Sequence, residues 1–470
     1  MDSLKNQLKE KFGFTSFKNL QEPIINNLLE GNNSFVIMPT GGGKSLCYQL
    51  PAMILDGTAI VVSPLIALMK NQVDLIRSNN TKDSVAHVLN STLTKEEIEK
   101  VKNDVLTKET KLLFVAPETL SKSNTIEFLK KITVSFIAID EAHCISEWGH
   151  DFRPEYRKIR DIIDQISSDI KIIALTATAT PKVQDDVIKN LKIDNSKIFK
   201  SSFNRHNLFY EVRAKNESTD IDLLKFIKLN QNQSGIIYCL SRKNVEELSE
   251  LLNMNGVKSL PYHAGLEKKI REENQDKFLK DECDVIVATI AFGMGIDKPD
   301  IRYVVHYSVP KSIEGYYQET GRAGRDGGKG HCLMYYSYKD VEKLEKLLSK
   351  KKSSDRNIGI MLLKEVSTFA ESSISRRKFL LNYFGEKYDP NINNDFEMDD
   401  NSKNIKEKIN VKDQLLFLLN NHFKNNKKVF VRDIIKDLPI DEKNGIDEKF
   451  WRTIITYSIV EGFLEKDISD

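Results

Sequence analysis

Of the 470 residues, 40% are hydrophobic and 29% charged, and the formal net charge is only +2. That composition suits a soluble globular chain of two to four domains. It excludes an overall basic field, so any nucleic-acid binding must come from a local patch.

The N-terminal "MDSLKNQLKEKFGF" is charged and amphipathic, without the apolar core of a signal peptide. The most membrane-like window, residues 50–69, is broken by Pro51, Asp56, Gly57 and Pro64, which suit a buried helix, a turn and a strand better than a span. No membrane partner is expected. Cys47, Cys144, Cys239, Cys283 and Cys332 are scattered without CxxC spacing. They read as buried free thiols in a reducing, cytoplasmic setting, and not as a disulfide frame or a zinc cluster.

Between residues ~30 and ~200, runs that are apolar throughout alternate with helical stretches: "SFVIM" (34–38), "AIVVS" (59–63), "LLFVA" (112–116), "SFIAID" (135–140) and "KIIALT" (171–176). Unbroken apolar runs predict strands buried on both faces of a parallel sheet. After the polar "RAKNESTD" (213–220) a second series follows: "GIIYCL" (235–240), "DVIVAT" (284–289), "RYVVHY" (302–307) and "HCLMYY" (331–336). Two tandem parallel α/β domains are expected, covering 1–207 and 208–340, with ligands at the C-terminal strand ends. A helical subdomain is expected over 341–404, ending in the acidic linker "NINNDFEMDDNSKN" (391–404). The remainder, 405–470, reads as a partial winged helix whose wing has no room after residue 463.

The loop "MPTGGGKS" (38–45) follows a predicted strand and precedes a helix. That is the setting a phosphate loop requires, because glycine amides cradle phosphate oxygens at a helix N-terminus while a lysine reaches the outer phosphates. Met38 stands where the strict pattern wants glycine. Thr40, Gly41, Gly43, Lys44 and Ser45 are the candidate nucleotide-binding residues. Asp140 and Glu141 end the strand "SFIAID"; an Asp there can serve a Mg²⁺ shell and the adjacent Glu can deprotonate water. In "QETGRAGRDG" (318–327), Arg322 and Arg325 lie three apart on one helical face, suited to an arginine-finger role supplied across a cleft. The carboxylates are followed at once by a cluster of rings and planar cations, "HCISEWGHDFRPEY" (143–156).

In their order these motifs resemble those of the RecQ family of superfamily 2 DNA helicases, over roughly residues 10–390. The fold implied is two tandem RecA-like parallel-sheet domains, a helical subdomain and a partial winged helix. The resemblance implies ATP and Mg²⁺ as cofactors, 3′→5′ translocation on single-stranded DNA, and unwinding of duplex DNA in repair and recombination. "FGFTSFKNLQEPII" resembles the family's adenine motif, assigning base recognition to Phe14 and Gln21, with Lys18 in place of the usual arginine. Lys44 and Ser45 would bind phosphate and Mg²⁺, Asp140 the metal and Glu141 the water, with Gln318, Arg322 and Arg325 completing the closed site. DNA contacts would come from Ser63, Lys70 and Gln72, from Thr178, and from Thr289 and Met294. His143 would link the ATP site to neighbouring motifs. Trp148 and Phe152 suit base stacking and His150 and Arg153 polar or phosphate contacts, while Tyr156 reads equally as core.

The family's zinc site begins at a cysteine before an Arg-Arg pair, yet here Ser375 precedes Arg376, and the later segment has neither Cys nor His. No zinc is expected, and packing of Phe379, Leu380, Tyr383 and Phe384 is the expected substitute. An all-carboxylate site from Asp395, Glu397, Asp399 and Asp400 is the alternative. A translocase or RNA-directed helicase without useful strand separation, and a non-catalytic DNA-binding scaffold, are the competing functions. The five intact residues Lys44, Asp140, Glu141, Arg322 and Arg325 oppose the scaffold. A monomer is expected, with single-stranded and partially duplex DNA as partner, nucleoid-associated if the source is bacterial.

Overall fold

The computed structural model describes residues 4–80, 82–293, 298–350, 352–389, 398–403, 411–423, 431–441 and 446–464. Strands form where the sequence runs apolar without alternation. In chain order the first set is β1 (Ser34–Ile37), β2 (Thr58–Val62), β3 (Ala86–Leu89), β4 (Leu112–Val115), β5 (Val134–Ile139), β6 (Ile172–Thr176) and β7 (Lys197–Lys200). They pair in the order β3-β4-β2-β5-β6-β1-β7, every pairing parallel. Because side chains alternate across a pleat, the central strands feed two cores at once. Phe35, Ile37, Ile60 and Val62 pack on one face. Val36, Ala59, Val61 and Phe114 pack on the other.

A second sheet is built from β8 (Leu208–Ala214), β9 (Gly235–Tyr238), β10 (Ser259–Tyr262), β11 (Val285–Ala288), β12 (Tyr303–His306) and β13 (Gly330–Tyr336), in the order β10-β11-β9-β12-β13-β8. Its pairings are also parallel. This is the expected pair of RecA-like sheets, with four strands the apolar runs did not announce: β3, β7, β8 and β10. All four are sheet edges. An edge strand has one unpaired side and tolerates polar residues, as in β7, "KIFK", where only Phe199 is buried.

Helices Tyr338–Leu348, Ser353–Glu371 and Arg376–Tyr383 follow β13. A last helical unit, Lys412–His422, Val431–Lys436 and Glu448–Val460, closes its own core around Leu418, Ile434, Leu438, Trp451, Ile454 and Ile455. The strand-like entry before Val431 and the segment after residue 464 lie outside the described residues. No helix among the described residues is long and apolar enough to cross a membrane.

The end of the acidic segment 391–404 folds back on helix Arg376–Tyr383 in a polar cluster the sequence did not suggest. Asp399 is fully buried and accepts hydrogen bonds from Ser375 Oγ at 2.6 Å, Ser402 Oγ at 3.0 Å and Ser402 N at 2.9 Å. Arg376 Nε donates to Asp400 Oδ1 at 3.0 Å, and Asp400 Oδ2 accepts from Val212 N of β8 at 3.0 Å. Structural zinc favours thiolate or imidazole ligands. Here the donors are hydroxyls and carboxylates already spent on one another, so they do not fit the metal. Asp399 and Asp400, two members of the all-carboxylate alternative, are thus committed elsewhere; Asp395 and Glu397 lie outside the described residues. The aromatic packing is present beside the cluster: Phe379, Leu380 and Phe384 are buried, Phe384 stacks on Phe203 with centroids 4.4 Å apart, and Tyr383 Oη donates to Glu314 Oε1 at 2.8 Å. Purified protein should therefore contain far less than one equivalent of zinc and should not shift its melting transition with a chelator. Asp399→Ala should cost about 2–4 kcal/mol by chemical denaturation, since it strands buried donors.

Candidate active site

Parallel pairing puts the C-terminal ends of β1, β2, β5 and β6 on one edge, and each runs directly into a motif. β6 lies between β1 and β5, so the glycine loop after β1 and the carboxylates after β5 flank Thr176. Gly41 and Gly43 have φ of +80° and +79°, a conformation that only glycine adopts without strain. They turn the chain so that helix Leu46–Ile54 begins directly behind the loop, its free N-terminal amides facing it. Lys44 Nζ donates to the Met38 and Pro39 carbonyls at 3.0 and 3.4 Å. Burial lowers its pKa, and the charges of Glu141 and Asp140 oppose that shift. Thr40 Oγ1 is buried with no hydrogen-bond partner among the described residues. An unspent hydroxyl beside positive-φ glycines and a lysine fits a phosphate group.

Gln21 is buried against the same loop: Nε2 donates to the Gly43 carbonyl at 3.0 Å and Oε1 accepts from Lys18 N at 2.8 Å. The structure therefore ties Gln21 to the loop backbone, with Lys18 and Phe14 exposed beside it.

Burial raises the pKa of Asp140, against the Lys44 charge. Glu141 is pushed up to about 7, first by burial and then by the Asp140 charge. Its backbone sits at φ 49°, ψ 46°, a left-handed conformation that costs a non-glycine residue roughly 1 kcal/mol or more. The turn aims the carboxylate at His143, whose Nδ1 is 3.3 Å from Glu141 Oε2 and 2.9 Å from Thr176 Oγ1. The Thr176 hydroxyl donates to the Thr178 carbonyl at 3.1 Å. Burial holds the His143 pKa well below its usual value, so the ring is neutral.

His143 stacks on His150 with centroids 4.6 Å apart. Trp148 is half-buried, with Lys182 Nζ 3.1 Å from its ring centroid. Phe152 is half-buried under Arg157, 5.7 Å from its centroid. Tyr156 is fully buried and its hydroxyl donates to the Asp140 carbonyl at 3.1 Å, so it is core that also braces the Asp140 backbone. Arg153 is directed inward, with Nη2 on Asp151 Oδ2 at 3.1 Å and Nη1 on the Pro64 carbonyl at 3.1 Å.

The second sheet supplies the opposing wall. Arg322 is buried and donates to the Gly293 carbonyl, and its charge acts on Glu141. The Arg325 charge acts on Lys44, and a Cβ on Gly41 would lie 3.3 Å from Arg325 Cγ. A Cβ on Gly321 would lie 3.2 Å from Thr40 Oγ1, so the two loops touch. Gln318 is half-buried on helix Ile313–Thr320.

Of the expected DNA contacts, Ser63 and Thr178 are buried, each with a hydroxyl lacking a partner among the described residues. Gln72 accepts from Gln49 Nε2 at 2.9 Å, joining its helix to the one behind the glycine loop. Lys70 is exposed, Thr289 half-buried at the end of β11, and Met294 outside the described residues. Sequence reasoning missed Thr176, Lys182 and Arg205. The first two lie in or beside "LTATAT" (175–180), but nothing near Arg205 marks it.

Family models match successive segments: "DEAD/DEAH box helicase" over residues 18–187, "Helicase conserved C-terminal domain" over 219–327 and "RecQ zinc-binding" over 338–395. The ATP-dependent DNA helicase RecQ of Haemophilus influenzae is 44% identical over 388 residues, covering 82% of this chain and 62% of that protein. The chain belongs to the RecQ family. RecQ of Bacillus subtilis is 41% identical over 382 residues, covering 81% of this chain and 64% of its own length. RecQ-like DNA helicase blm-1 of Caenorhabditis elegans is 44% identical over 396 residues, covering 82% and 40%. The chain thus spans less than two thirds of each of these RecQ relatives. Among solved structures, the DEAD-box helicase Mss116 bound to single-stranded RNA shares the fold with a TM-score of 0.59 at 19% identity, covering 82% of this chain and 89% of that one. Mycobacterium smegmatis Lhr bound to single-stranded DNA shares it at 0.57 and 20%, covering 75% and 50%.

Lys44→Ala should weaken nucleotide binding at least tenfold, by calorimetric titration. Glu141→Gln should leave binding nearly unchanged and lower phosphate release about a hundredfold or more, the range for loss of a general base.

Proposed function

We propose that the protein hydrolyses ATP when single-stranded DNA is bound and uses the cycle to translocate 3′→5′ and separate duplex DNA in repair and recombination. Lys44 and the glycine-loop amides bind the phosphates. Ser45 and Asp140 are the residues that would hold Mg²⁺, which supplies charge neutralisation on the β- and γ-phosphates. Glu141 takes the proton of the attacking water; a pKa of about 7 makes it an effective base near neutral pH. Arg322 and Arg325 stabilise charge developing on the γ-phosphate.

One observation carries the reading: Glu141 Oε2 approaches His143 Nδ1 to 3.3 Å, and His143 in turn hydrogen-bonds Thr176 and stacks on the His150 ring. The base-activating carboxylate thus shares one neutral imidazole with the "LTATAT" motif and the ring-rich loop. A base stacked on that loop is worth about 1–3 kcal/mol, ample to bias the position of Glu141. Phosphate tracking along the motif edge explains how a chain with net charge +2 can bind DNA with strong salt dependence.

Hydrolysis should rise with single-stranded DNA, and a 3′-tailed duplex should be unwound; hydrolysis indifferent to DNA would remove the motor. Trp148→Ala should lower DNA-stimulated turnover and unwinding more than it lowers DNA affinity, which should fall by no more than about 1–3 kcal/mol, the worth of one stacked base. A collapse of its melting transition would instead mark Trp148 as a core anchor.

A further inference from the structure

The connector between the two sheets, residues 201–207, contains one side chain that touches both halves of the ATP site. Arg205 Nη1 donates to the Gly321 carbonyl at 3.2 Å and the Thr40 carbonyl at 3.5 Å. Its Nη2 donates to the Ala323 and Gly324 carbonyls at 2.9 and 3.2 Å. Thr40 belongs to the phosphate loop of the first sheet. Gly321, Ala323 and Gly324 bracket Arg322 and lead into Arg325 on the second. One guanidinium therefore bonds the backbone of both walls.

The connector is itself held. The Arg205 carbonyl accepts from Arg377 Nη1 at 2.9 Å, and Arg377 Nη2 donates to the Leu208 carbonyl at 2.7 Å. Arg377 is buried. Asn207 Nδ2 adds bonds to the Gly324 and Gly328 carbonyls at 2.8 and 2.6 Å. The anchorage runs from helix Arg376–Tyr383 through the connector to the arginine loop.

We propose that Arg205 is a positioning residue for ATP hydrolysis, a strut that fixes Arg322 and Arg325 against the phosphate loop without touching substrate. The geometry suits a guanidinium: a planar fork of donors with no acceptor, spread over four carbonyls. A lysine ammonium has three donors from one point and reaches fewer. Carbonyl capping after helix Ile313–Thr320 accounts for the bonds to Gly321, Ala323 and Gly324, but not for the one to Thr40.

The kinetic arm rests on the ATP-hydrolysis reading, so a second arm is independent of it. Displacing a catalytic group by about an ångström costs about a hundredfold in rate. Arg205→Ala should lower kcat of DNA-stimulated hydrolysis about that much, leave KM for ATP within about threefold, and leave the melting transition in place. Arg205→Lys should recover a substantial part. Arg205→Ala with Arg325→Ala should be faster than the product of the two single losses predicts, because part of the strut's effect acts through that finger. For the independent arm, spin labels at Lys130→Cys and Lys268→Cys, on exposed positions of the two lobes, report the inter-lobe distance; all five native cysteines are buried. Arg205→Ala should broaden that distribution without nucleotide. Unchanged kcat, an unchanged distribution, or a loss that follows the melting transition and is not rescued by Arg205→Lys overturns the strut. If wild-type protein does not hydrolyse ATP, the hydrolysis reading fails and the distance arm alone decides. Should Arg205→Ala not fold, Arg205→Gln carries the same tests.

Discussion

Parallel strand pairing is the constraint on which the rest of the molecule depends. Two parallel neighbours cannot be joined by a tight turn, so every connection must cross back over a face of the sheet. All the C-terminal strand ends then lie on one edge, and whatever follows them is gathered there. The glycine loop, the carboxylate pair and the "LTATAT" turn lie many tens of residues apart in the chain. They become neighbours because β1, β6 and β5 are adjacent in the sheet. The apolar runs are thus the cause of the site's assembly as well as of the fold's stability.

The second consequence is electrostatic. Asp140, Glu141 and Lys44 occupy a buried corner where each charge alone would be costly. Burial pushes both carboxyls up and the lysine down; the opposite charges of the lysine and the carboxylates pull these shifts back, while the Asp140 charge pushes Glu141 further up. The corner is tolerable as a set, with Arg322 and Arg325 completing it from the second sheet. The left-handed backbone at Glu141 belongs to the same economy of placement. Local strain is accepted where it aims the carboxylate at a neutral histidine that also contacts Thr176 and the ring-rich loop.

The region after the second sheet solves a different problem. That segment is tied to β8 by Asp399 and Asp400, through two serines and an arginine, with aromatic packing alongside. Ser375 and Arg376 bind that cluster, while the next residue, Arg377, binds the connector. Helix Arg376–Tyr383 therefore links that polar cluster to the connector and, through it, to the glycine and arginine loops by adjacent side chains.

The sequence alone determined the two parallel sheets, the order of their motifs and the identity of Lys44, Asp140, Glu141, Arg322 and Arg325. Those features are local: an apolar run or a glycine loop carries its own physical reason within a few residues. Tertiary structure alone decided the rest. The edge strands β3, β7, β8 and β10 were invisible because an edge needs no continuous apolar run. Tyr156 became core, Arg153 turned inward, and Gln21 was tied to Gly43, each through a partner distant in sequence. Arg205 is the extreme case, since its carbonyl partners lie on both sheets, more than a hundred residues away in either direction. A guanidinium's role is set by which backbone oxygens converge on it, and only the folded chain brings them together.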